Sequence, residues 1–358
     1  MNRLTDWIKR HQAAAFFIIT FAITWGLGFS WGAVLKRNQF LLLPLAFVAT
    51  CGPGLAGIIV SAVTNTQQRQ GPRKAFWIAF LVAWFVSILV CLANLKFIEQ
   101  SSLSPAAIGL FTIAVVPVAF VIASAYSRIP AVRSYLASLI RLRGVWGWSL
   151  VGLVLFPVLH LISLFINSLL NRQRVPSHQF PHMSLALIGL VIVKFLYQFF
   201  FFNGTGEEVG WRGFALPRLQ TRTSPSIAAL IIAFFWAPWH FFLWRAAGAR
   251  VLTFRFWIDQ YILHILGSLF IVWICNRAHG SILVAGITHA ASNTVMAFIP
   301  LQDMQGLYLT WVAAALVMIL VDKMWKKLPH DHPAVYWSPE RAAQPTGACD
   351  SVPAAHDP

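Results

Sequence analysis

A chain of 358 residues with 58% hydrophobic side chains, 11% charged ones and a formal charge of +16 has too little polar surface for a soluble enzyme, since soluble domains carry roughly 25% charged residues. Its hydrophobicity equally excludes a disordered chain. What remains is an all-α, polytopic transmembrane helix bundle. The 27 Lys and Arg lie mostly in the short gaps between apolar runs. That is the pattern of membrane topology and contact with membrane lipid, not of nucleic-acid binding.

Ten apolar segments follow along the chain, at 13–35, 40–63, 75–98, 105–126, 147–170, 183–206, 225–245, 254–275, 281–300 and 306–322, and predict about eight to ten spans. Residues 127–146 differ. Arg128, Arg133, Arg141 and Arg143 alternate with Val132, Tyr135, Leu136, Leu139 and Ile140, the pattern of a basic amphipathic helix on the membrane surface. From Lys323 the chain turns polar and Pro-rich, and its end carries no lipidation box. Cys51, Cys91, Cys275 and Cys349 include no CxxC pair, which argues against a disulfide framework or thiolate metal site. The expected organisation is N-terminal helices over 1–182, a core over 183–300, and a last helix with its tail over 301–358. With the N-terminus inside, eighteen Lys and Arg fall on the cytoplasmic side and eight outside. The expected location is therefore a multi-pass protein of the cell membrane, bacterial in type, with both termini cytoplasmic.

Ionisable groups inside a bilayer are costly and mark function. Only Glu99, Glu207, Glu208 and Glu340 are glutamates, and two of the four are adjacent at the end of the sixth segment, within Gly204–Gly213. On an α-helix Glu208 and Arg212 share a face and pair, while Glu207 points about 100° away and stays free. The bland alternative is a salt bridge near the headgroups. Two further elements weigh against it: Trp236-Ala237-Pro238-Trp239-His240 in the seventh segment, and His289 with Asn293, one turn apart, in the ninth. Counted from the turn at Thr223-Ser224-Pro225, Glu207 and His240 reach nearly equal depth, although Pro217 kinks or interrupts the first limb. His289 lies well inside the membrane too. The four groups are expected to converge in a buried cavity facing the cytoplasm.

Glu207-Glu208-x-x-x-Arg212, an aromatic-x-x-x-His240 and His289-x-x-x-Asn293 resemble the three motifs of the CAAX-protease and bacteriocin-processing family of intramembrane proteases, which includes the type II CAAX prenyl endopeptidases. The resemblance covers roughly 183–300. It departs at one point: Trp236 stands where the family usually has Phe. It implies an endopeptidase with a peptide or protein substrate. Glu207 would be the general base for water, His240 would help hold that water, His289 and Asn293 would stabilise the oxyanion, and Glu208 with Arg212 would support the site. Glu207, His240 and His289 would be the ligands if zinc took part. No HExxH is present and Asn is an uncommon zinc ligand, so the reading leans to no metal cofactor and leaves zinc open.

A polytopic transporter and a non-catalytic scaffold of the same fold are the alternatives. No second half mirrors 183–300, as transporter repeats would, and an intact polar set argues against a scaffold. His160, Lys194, Asp259 and His264 are read as packing residues, with Asp259 and His264 loosely paired and Lys194 snorkelling or bonded to a neighbour. Gly204, Gly206, Gly210 and Gly213 are read as sites where helices, or a substrate strand, approach closely.

Overall fold

The computed structural model describes residues 3–35, 42–172, 184–246, 251, 253–301 and 303–336. Most of the expected polar tail, from 337 onward, lies outside them. The described residues form helices and no strand: α1 (Arg3–Arg10), α2 (Gln12–Leu35), α3 (Leu42–Thr50), α4 (Gly52–Thr64), α5 (Arg73–Ala93), α6 (Pro105–Ala114), α7 (Val116–Ala123), α8 (Pro130–Leu136), α9 (Trp146–Leu170), α10 (Leu185–Phe201), a π-helical segment (Asn203–Ala215), α11 (Leu216–Leu219), α12 (Pro225–Trp239), α13 (Phe241–Ala246), α14 (Phe254–Arg277), α15 (Ile282–Phe298) and α16 (Gln305–Val321). Several starts are written in the sequence. Ser104, Ser184, Ser224 and Ser281 each accept a hydrogen bond from the backbone N–H three residues on, and Pro105 and Pro225 occupy the first helical position, where no donor is needed.

Each of the ten apolar segments became helix, but not ten uniform spans. Six helices are long and apolar enough to cross a membrane: Arg73–Ile98, Pro105–Tyr126, Trp146–Leu170, Leu185–Leu219, Pro225–Arg245 and Phe254–Arg277. A seventh arises if α1 and α2, bent by 110°, count as one span. Gly52–Thr64, Ile282–Phe298 and Gln305–Val321 are apolar but shorter. The protein is an integral, multi-pass helix bundle. Phe16, Phe156, Phe214, Phe270 and Trp311, drawn from all three stretches of the chain, meet in one core.

The two ends of the bundle differ in character. One end gathers α8, the turns at 220–224 and 278–281, and residues 324–336. Gln220 Nε2 donates to Ala334 O at 2.8 Å, Tyr336 N to Pro217 O at 3.0 Å, and Ser138 Oγ to Gly280 O at 3.3 Å. This is the end rich in Arg. At the other end α9 meets the start of α16, where Asn167 Nδ2 donates to Asp303 O at 2.6 Å and Asn167 Oδ1 accepts from Gly306 N at 2.6 Å. Glu99 and Lys194 also meet there.

The basic stretch 127–146 is not a helix lying on lipid. Only Pro130–Leu136 is α-helical, and Val132, Leu136 and Leu139 are buried against Ile58, Val121, Val209 and Ile282. Tyr135 donates its hydroxyl to Val209 O at 2.6 Å, and burial pushes that hydroxyl well above its usual titration range, so it stays a donor. The apolar face that looked suited to lipid covers the π segment instead.

Glycine sets the closeness of α4 to the π segment. A Cβ on Gly210 would lie 2.7 Å from Pro53 O, whereas one on Gly189 meets nothing within 4 Å. Gly210→Ala is expected to destabilise by about 1–3 kcal/mol through overpacking, read as a lowered melting temperature in detergent. Gly189→Ala should leave that temperature unchanged or raised. Equal melting of the two variants would contradict the packing argument.

Candidate active site

Glu207 and Glu208 sit in a π-helical stretch, not an α-helix: Glu207 N donates to Phe202 O, five residues back, at 2.9 Å. The wider π turn makes the angular step between neighbours smaller than in an α-helix. Glu208 and Arg212 still face one another, with Arg212 NH1 donating to Glu208 Oε1 at 2.8 Å and both side chains fully buried. Pro217 falls just past the π segment, within a helix that runs on from Leu185 to Leu219, and has no N–H to give there.

Glu207 is not free, as the α-helical projection had it. Its Oε2 accepts the Trp236 indole N–H, and its Oε1 accepts from Asn203 Nδ2 at 3.4 Å. His240 Nε2 stands 3.6 Å from Oε2. His240 Nδ1 lies 3.0 Å from Trp236 O. A carbonyl only accepts, so Nδ1 carries a proton and Nε2 is the atom turned toward Glu207, across a gap just too wide for a direct hydrogen bond.

His289 Nδ1 lies 2.8 Å from Glu208 Oε1 and so donates to the carboxylate that also holds Arg212. Asn293 Nδ2 donates to Asn203 Oδ1 at 3.2 Å, which continues to Glu207. Glu207, His240, His289 and Asn293 all line one cavity of about 770 Å³, which also reaches Lys194 and Trp244. Two sets therefore meet there: Glu207 with Trp236, His240 and Asn203, and Glu208 with Arg212 and His289. The sequence reading gave Glu208 only Arg212 as a partner. The structure adds His289 to that carboxylate.

Three residues escaped the sequence reading. Trp236, read only as the aromatic of the second motif, donates its indole N–H to Glu207, accepts from His240 at its carbonyl, and lies under the Arg212 guanidinium at 4.5 Å. Asn203 links Glu207 to Asn293. Its signal was its position four residues before Glu207, after a run of Phe. His264 lines the cavity, with its ring 4.6 Å from that of Trp236 and 5.1 Å from that of His240. It does not pair with Asp259. His264 Nδ1 donates to Gln260 O at 2.7 Å, and Asp259 accepts from Arg255 at 2.9 Å and from Tyr308 at 2.8 Å. Lys194 pairs with Glu99 at 3.6 Å, and His160 Nε2 lies 2.6 Å from Ile299 O in the packing role expected of it.

The cavity also corrects an expectation. From the level of Glu207 its walls run back along α10 to Lys194, forward along α12 and α13 to Trp244, back along α14 to Gln260 and forward along α15 to Met296. Every one of those directions leads away from the Arg-rich end, and Glu99 is among the lining residues. The lining thus lies on the side of Glu207 away from the loops assigned to the cytoplasm, where the expectation had put the opening.

A metal was left open by the motifs. Among the described residues no three His, Cys, Asp or Glu are grouped closely enough to hold one. His240 and His289 each spend Nδ1 on a carbonyl or a carboxylate and leave Nε2 open, an orientation that metal-ligating histidines share, while Glu207 Oε2 is taken by the Trp236 indole N–H. No step below passes through a metal.

Asn203→Ala is expected to lower turnover about tenfold to a hundredfold, because Glu207 and Asn293 both lose their common support. KM should change little. Peptide hydrolysis in vesicles checks this, and an unchanged kcat would contradict it.

Residues 184–295 match the family model described as Type II CAAX prenyl endopeptidase Rce1-like. A relative named CAAX prenyl protease 2, from Methanococcus maripaludis, is 27% identical over 161 residues, covering 36% of this chain and 59% of the relative. The chain thus spans about three-fifths of the length of the curated relative that it matches. Both findings support the CAAX-protease and bacteriocin-processing resemblance that the three motifs carry. The family model covers the part of the chain that holds Glu207, His240, His289 and Asn293.

Proposed function

We propose that the protein is an intramembrane endopeptidase that hydrolyses a peptide bond with a water held between Glu207 and His240. The observation that carries this reading is the 3.6 Å gap between Glu207 Oε2 and His240 Nε2, two atoms fixed by Trp236 and open to the cavity. Glu207 takes a proton as the water attacks the peptide carbonyl. The tetrahedral oxyanion is met by Asn293 Nδ2 and by His289 on the cavity wall, whose Nδ1–H stays on Glu208. Glu207 returns its proton to the leaving amine. Glu208 and Arg212 position His289 and do not touch the substrate.

The substrate is an extended peptide with apolar or lipid-modified side chains, in keeping with Phe202, Leu243, Leu263 and Met296 in the cavity wall and with the name of the relative. It enters from the end opposite the Arg-rich loops. With those loops cytoplasmic by the positive-inside rule, entry is from the outer side. Hydrolysis of prenylated and unmodified reporter peptides by the purified protein in vesicles, with Glu207→Ala as control, tests the activity. Entry is tested by placing single cysteines at Ser102 and Gln68 in a background without the native cysteines. A membrane-impermeant maleimide on intact cells should label position 102 and spare position 68. The reverse pattern would overturn the assignment of the outer side.

A further inference from the structure

A second cleft, of about 350 Å³, opens at the Arg-rich end between the turn at 65–72, the start of α5 and residues 124–132. Arg69, Arg73 and Arg128 line it. The walls are tied together. Arg128 Nε donates to Gly71 O at 3.1 Å, Gln70 N donates to Arg128 O at 2.8 Å, and Ala131 N donates to Asn65 Oδ1 at 3.2 Å. Gly71, at φ +87°, makes the tight turn that a residue with a Cβ would resist. Three arginines thus line one space, with Arg128 fixed by its bond to Gly71 and Arg69 and Arg73 exposed on the opposite wall. Carboxylates are scarce in this part of the chain: the sequence has no Asp or Glu between Asp6 and Glu99, nor between Glu99 and Glu207. None of the three arginines joins an ion pair among the described residues.

The same cleft has an apolar side. Phe76, Trp77 and Phe120 line it, and Trp77 is 57% exposed. The exposed apolar face runs on along α5 through Leu81 and Phe85, into the depth that acyl chains occupy. A free anion would use the arginines and leave this face unexplained. We propose that the cleft binds the headgroup phosphate of an anionic phospholipid, with an acyl chain lying along the Trp77–Leu81–Phe85 face of α5. Guanidinium groups grip phosphate oxygens in paired hydrogen bonds, and the cytoplasmic leaflet, which this end faces by the positive-inside rule, is the anionic one. The site is independent of the proteolytic reading.

The test is native mass spectrometry of the purified full-length protein titrated with phosphatidylglycerol, phosphatidylcholine or inorganic phosphate. The variants are Arg69→Gln/Arg73→Gln and, as a control with the same loss of charge, Arg141→Gln/Arg143→Gln. Arg69 and Arg73 are exposed, so the first pair should fold normally. One phosphatidylglycerol is expected to survive on the wild type, and the first pair should weaken it roughly thirtyfold, about fivefold per guanidinium. The control pair should weaken it less than about threefold. Equal weakening by both pairs, equal retention of phosphatidylcholine, or competition by inorganic phosphate at the concentration of the lipid would each overturn the proposal.

Discussion

Glu207→Gln should abolish peptide hydrolysis, with a loss of about 10²–10⁴-fold or more for removal of a general base, while the melting temperature stays within a degree or two. The variant keeps the size of the side chain and an oxygen for the Trp236 indole, so the packing around it persists. It loses the negative charge and the ability to take a proton from water. Hydrolysis by Glu207→Gln at the wild-type rate would remove the base from the account. A large fall in melting temperature would mean that Glu207 supports the fold, and the loss of rate would then carry no mechanistic weight.

Glu208→Gln should behave differently. Arg212 is fully buried, and its Nε and one NH2 group have no hydrogen-bond partner among the described residues. Its stabilisation comes from the Glu208 carboxylate and the face of Trp236. Breaking a buried ion pair from one side costs about 3–5 kcal/mol, because it leaves an uncompensated charge. Both melting temperature and rate should fall. The double variant Glu208→Gln/Arg212→Met removes the stranded charge and should regain much of the stability. It should not regain the rate, because His289 still lacks the carboxylate on its Nδ1. A double variant with restored rate would show that Glu208 acts only through stability.

The sequence carried the membrane class, the helical segments and the four polar groups on the cavity, because each rests on local signals. Apolar length marks the helices, Ser-Pro steps mark their starts, and a few ionisable residues stand out in an apolar background. Partner choice was not local. Whether His289 serves Glu207 or Glu208 depends on how α15 rotates against a π-helical segment, and the extra residue per turn is invisible in a pattern read at α-helical spacing. The donor role of Trp236 was hidden for a related reason. An indole in an apolar helix reads as bulk until the carboxylate beside its N–H is placed. The 127–146 stretch misled because an amphipathic face suits a protein core as well as a lipid surface, and Val209 and Ile282 are distant in sequence. Cavity direction required knowing which turns of four helices lay beyond the glutamates.

The central claim is that Glu207 and His240 hold the attacking water directly. It is tested most directly by the hydrolysis rate of purified protein dialysed against a strong chelator, with metal content measured on the same sample by elemental analysis. The account predicts an unchanged rate at far below one metal ion per chain. Loss of the rate together with about one zinc per chain, and recovery of both on adding zinc back, would contradict it.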